Sequence, residues 1–111
     1  MNLPIYKVID ETALKQYRRV TALQAQALVN VFLSDFLPDR FTANLAEWVD
    51  RKWRVSVILA YPQIGSLGTV GEVQVDAETV QILSHTPLEQ MKQTGIALYT
   101  ANQDAIEATF L

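Results

Sequence analysis

The chain of 111 residues contains no cysteine. That excludes disulfides, thiolate metal sites and a cysteine nucleophile. Its single histidine, His85, excludes a histidine-based metal cluster, and a catalytic triad would have to be built around that one residue. Glycine and proline number only four each. Gly65, Gly68 and Gly71 recur at every third position, but they have neither the spacing of a dinucleotide fingerprint nor the Lys-Ser/Thr pair of a phosphate loop. No apolar run approaches the ~18 residues of a membrane span. Lys7, Asp10, Glu11, Lys15, Arg18 and Arg19 interrupt positions 1–20, which leaves no leader-like apolar stretch there. The expectation is a cytoplasmic protein with no membrane association and no cofactor.

A strong charge of one sign is also missing. The net charge is −3, yet residues 1–54 hold eight of the nine basic side chains against six acidic ones, while residues 55–111 hold Lys92 against six acids. This asymmetry suits association with a complementary patch better than nucleic acid, which needs a clearly basic face. What is present is ordinary globular usage, 50% hydrophobic and 19% charged, in a length that fits one domain.

A helix is predicted over 10–19, with Asp10 and Glu11 in its first turn. Thr21 either caps a second helix or lies within a continuous one. Leu23, Ala27, Leu28, Val31, Phe32 and Phe36 recur at helical spacing and form the candidate apolar stripe, and Pro38 ends the helix. Trp53, Val55, Val57, Leu59 and Tyr61 then alternate as a strand. Further strands are expected at Phe41-Ala43-Leu45, at Val73 and Val75, and at Val80 and Ile82. If Asp76–Thr79 is a four-residue loop, Val75 faces Val80 and Val73 faces Ile82. Phe41-Ala43-Leu45 reaches the same face only through a bulged turn near Val49–Lys52. Asp76 organises its own turn. Thr86-Pro87-Leu88-Glu89 carries the signature of a capping box, and the helix it opens places Leu88, Met91, Leu98 and Tyr99 on one side with Gly95 among them.

The fold class expected is therefore α+β. One or more N-terminal helices (1–38) pack on a three- to four-stranded antiparallel β-meander (40–84), followed by a capped C-terminal helix (86–101) and a tail (102–111), all in one domain.

Chemistry-bearing residues are sparse. His85 lies just before a helix start, where backbone donors attract anions, and with Glu72 and Glu89 it forms the candidate ligand site. Glu72 and Asp76 are about 13 Å apart along a strand, too far for paired-carboxylate chemistry. Trp48 and Trp53 flank Asp50, Arg51 and Lys52, a pattern that fits base stacking or a cross-strand pair closing a hairpin. Ile64 and Leu67 sit in a stretch read as an aliphatic connection, while Ile58 and Leu83 lie on the second face of the sheet. These four are the candidate interface residues.

The string of Val73, Val75, Asp76, Thr79, Ile82 and Leu83 after a helix and a meander resembles a PepSY-type domain, with Val80 in place of the usual turn glycine. The longer pattern Phe32-Leu33, Leu37-Pro38-Asp39-Arg40-Phe41, Trp53-Arg54-Val55, Tyr61-Pro62, Val70-Gly71-Glu72-Val73, Asp76-Ala77-Glu78-Thr79 and Ser84-His85-Thr86-Pro87 resembles a group of short uncharacterised prokaryotic proteins, cyanobacterial ones among them. That resemblance implies a non-enzymatic protein with no catalytic residues to carry over, and in some cases an antitoxin-like partner of a PIN-type nuclease. The function expected is a non-catalytic protein-interaction module that self-associates as a homodimer. An antitoxin or inhibitor, and a small-ligand binder or enzyme using His85, are the competing readings, and a nucleic-acid module ranks last.

Overall fold

The computed structural model describes residues 20–110, so the helix expected over 10–19 lies outside the described residues. Thr21 is extended and opens helix α1 (Ala22–Phe36). Its Oγ1 accepts from the Gln24 N–H, and Gln24 Oε1 accepts from the Thr21 N–H, a reciprocal pairing of otherwise unsatisfied donors. Because Thr21 is not helical, α1 begins here and does not continue from an earlier helix. It stops at Leu37, which is extended because Pro38 follows.

Strands β1 (Phe41–Val49), β2 (Lys52–Tyr61), β3 (Gly65–Asp76) and β4 (Ile82–His85) form an antiparallel meander in that order. Helix α2 (Leu88–Ala101) and the short α3 (Gln103–Ala108) follow. The chain is an α+β protein with a four-stranded open sheet, as its patterning predicts. Alternation along β2 buries Trp53, Val55, Val57 and Leu59, and Val73 and Val75 of β3 join them. Ala25, Val29 and Leu33 of α1 and Met91 of α2 close over this face. Each buried valine or leucine stabilises the fold by about 1.5–3 kcal/mol relative to exposure. The Trp53 indole N–H donates to the Val20 carbonyl oxygen at 2.7 Å and ties the chain ahead of α1 to the sheet.

Four details differ from the sequence expectation. First, α1 is rotated: Leu23 and Val31 are exposed, while Ala25, Val29 and Leu33 are buried with Leu28 and Phe32 partly so. The reason lies on β1. Arg40 C=O accepts from Ala60 N–H, and the register Phe41↔Leu59, Thr42↔Ile58, Ala43↔Val57 then turns the Ala43 amide and carbonyl away from β2. Asn30 Oδ1 accepts from the Ala43 N–H at 2.8 Å and from Thr42 Oγ1–H at 3.2 Å, and Gln26 Nε2–H donates to the Ala43 carbonyl oxygen at 3.1 Å. These two amides fix which side of α1 faces the sheet.

Second, the hairpin between β1 and β2 is a tight two-residue turn with Asp50 at φ 52° and Arg51 at φ 64°, the type I′ arrangement that matches strand twist. The extra residue sits instead within β1, between Ala43 and Ala46, so Ala46 takes the inner position opposite Val55 and Leu45 is 69% exposed. Third, residues 65–71 are strand, not connection. Gly65 and Gly68 adopt positive φ, where shifts in the pairing with β2 require it, and only 62–64 form the turn. The loop spans five residues, 77–81, so Ile82 and not Val80 lies opposite Val75, His85 and not Ile82 lies opposite Val73, and Val80 is exposed in the loop. Asp76 does organise that loop, its Oδ1 accepting from the Glu78 N–H.

Fourth, the capping box at Thr86 does not form. Pro87 is the cap residue of α2 and no side chain caps it. Thr86 Oγ1 accepts from the Glu72 N–H instead, and Thr86 N–H donates to the Glu72 carbonyl oxygen, so the threonine extends the β3–β4 pairing.

A Cβ added at Gly71 would stand 2.8 Å from Thr86 Cβ and 3.1 Å from Met91 Cγ. Gly71→Ala is therefore expected to destabilise the fold by about 1–3 kcal/mol through overpacking. Asn30→Ala strips the Ala43 amide of its acceptor, at a cost of about 1–2 kcal/mol. Urea unfolding followed by tryptophan fluorescence checks both, and unchanged midpoints would contradict the packing described.

Candidate functional site

Because Pro38 ends α1, the last turn of the helix stops short of α2 and leaves a groove. Asp35, Phe36 and Leu37 form one wall, and Lys92, Ile96 and Tyr99 of α2 form the other. Phe41, Leu59 and Tyr61 supply the floor, and the groove encloses about 560 Å³. Gly95 lets the floor rise against α2: a Cβ there would stand 2.6 Å from Phe41 Cζ. The sequence left Gly95 as either a break or a close approach, and the helix is continuous.

The lining is aromatic, with Asp35 and Lys92 among its polar members. Phe36 packs on Phe32 with ring centroids 5.2 Å apart, and Tyr61 faces Tyr99 at 6.4 Å. The Arg40 guanidinium lies 5.1 Å from the Tyr61 ring centroid, an attraction that holds the ring against the floor. Phe36 is 52% exposed and Ile96 62%. Large apolar side chains are thus left open around one concavity, the arrangement that makes this groove the candidate site. One wall carries Asp35 and the other Lys92, and neither forms an ion pair with another described residue.

The predicted ligand residues are not brought together. His85 packs its ring 5.0 Å from that of Phe32 on the helix-covered face, and its Nδ1–H donates to the Thr86 carbonyl oxygen. Glu72 precedes the buried Val73 and so points to the opposite face, where its carboxylate accepts from Gln74 Nε2–H. Glu89 lies in the first turn of α2 and accepts from Gln93. Among the described residues no group of three His, Asp or Glu is placed to hold a metal ion.

The predicted interface residues are also spread over the fold. Ile58 is half-buried on the open face of the sheet, Ile64 is at the β2–β3 turn, and Leu83 is exposed on β4 beside a register shift. Leu67 is half-buried and packs against the chain's own core. Trp48 and Trp53 form the cross-strand edge pair at 5.1 Å, with Trp53 buried, and Arg54 pairs with Glu47 at 3.6 Å. Sequence reasoning missed the groove residues because Phe36 was assigned to the core stripe, while Asp35, Lys92 and Ile96 belong to no motif. The available signal was that Ile96 falls off the Leu88, Met91, Leu98 stripe.

The chain matches no protein-family model, no curated protein and no solved structure. No helix among the described residues is long and apolar enough to cross a membrane.

Leu67→Asp is expected to lower stability by about 2–3 kcal/mol, since it places a charge against the core. Ile96→Asp, at an exposed site, is expected to cost about 1 kcal/mol or less. Comparing their urea midpoints checks the assignment, and equal losses would contradict it.

Proposed function

We propose that this protein is a non-catalytic protein-interaction module and that its docking surface is the groove between α1 and α2. The observation that carries the reading is the exposure of Phe36 and Ile96 on either side of an aromatic floor. Burial of such side chains is the main driving term in association. The groove is bounded by two helix walls and a sheet floor, elements that hold a site more rigidly than loops do. Strand alternation turns Glu72 to the face opposite His85, which weighs against a joint site for that pair.

The test is affinity capture from the source organism after nuclease treatment, using the intact protein and Ile96→Asp in parallel. The intact protein is expected to retain a stoichiometric protein partner, another copy included, and Ile96→Asp to lose it while keeping its far-UV circular dichroism. Equal retention by both would contradict the groove as the docking surface.

A further inference from the structure

Resting on the interaction reading above, we infer that the partner in the groove is a second copy of this chain. The two copies meet groove to groove, and Asp35 of each protomer pairs with Lys92 of the other. Three observations lead there. The two walls carry opposite charges, and neither charge has an ion-pair partner among the described residues. A two-fold axis running along the groove carries one wall onto the position of the other, so Asp35 faces Lys92 twice across an isologous contact. The same operation stacks the exposed Phe36 and Ile96 of one copy over those of its partner, between the two charge pairs.

The exposed apolar side chains of the groove form the centre of this contact. Phe36, Ile96 and Tyr99 are 52%, 62% and 36% exposed. A standard interface buries ~800 Å² per partner, so the contact extends beyond these three side chains. An apolar centre flanked by charges is also the usual anatomy of an interface, with the ion pairs at the rim setting register. On the open face of the sheet, Glu47 and Arg54 are already paired with each other.

Charge reversal tests the arrangement because the isologous geometry makes a specific demand. In Asp35→Lys, and equally in Lys92→Asp, like charges meet twice across the axis. In the double variant, opposite charges meet again with their positions exchanged. Both side chains are exposed, and urea midpoints confirm that each variant is folded. Sedimentation velocity across a wide concentration range is expected to give a dimer for the intact chain, dimerisation weakened by about tenfold or more in each single reversal, and recovery in the double variant. An intact dimer indifferent to the single reversals, or single reversals that the double does not rescue, would overturn this pairing.

An intact chain that stays monomeric would overturn self-association. An apolar fluorescent dye then separates that failure from failure of the groove itself. Dye uptake lost in Ile96→Asp leaves the groove as a binding surface for another partner, and uptake indifferent to Ile96 removes both readings.

Discussion

Gln26 and Asn30 hold the outer edge of β1 by its backbone, and the placement of α1 depends on that contact. An edge strand presents unpaired amides and carbonyls, a ready template for unwanted pairing. Here the Ala43 N–H and C=O are both taken by side-chain amides one helical turn apart. The contact stands beside the bulge between Ala43 and Ala46, where the pairing of β1 with β2 shifts register. With α1 seated in this way, Ala25, Val29 and Leu33 meet the sheet, and the last turn of the helix lines a groove with α2. The groove is the space left over. The groove is thus a consequence of how one edge strand is protected.

Local signals in the sequence were legible where a single short-range interaction decides the conformation. Thr21 caps α1 through Gln24 three residues on, Pro38 ends it, β2 alternates, and Asp76 bonds the Glu78 amide. The α+β architecture follows from these alone. The rotation of α1 was not legible. Apolar side chains occur all round this helix, so periodicity cannot choose a face, and the bonds that choose it span 13 and 17 residues of sequence. Thr86 shows the same limit from the other side. Its capping box is correctly spelled, but the hydroxyl has a better use against the Glu72 amide fourteen residues away.

The groove was the least legible feature, for a physical reason. It is a gap between three elements, and no motif encodes a gap. Its components each have a local explanation: Phe36 as part of a helix, Gly95 as a close approach to Phe41, Lys92 as a solvated charge. Only the fold reveals that they share one concavity. The residues with conventional chemical promise fared differently. His85 stands opposite Val73, so Glu72, the strand neighbour of Val73, falls on the other face of the sheet.

Hydrogen–deuterium exchange at low and high protein concentration tests the central claim most directly, because it locates the covered surface without altering a residue. The account predicts that raising the concentration slows exchange in residues 34–38 and 92–99 and leaves β4 and the β2–β3 turn unchanged. Protection that grows at β4, or at the turn around Ile64, with none at the groove would contradict it.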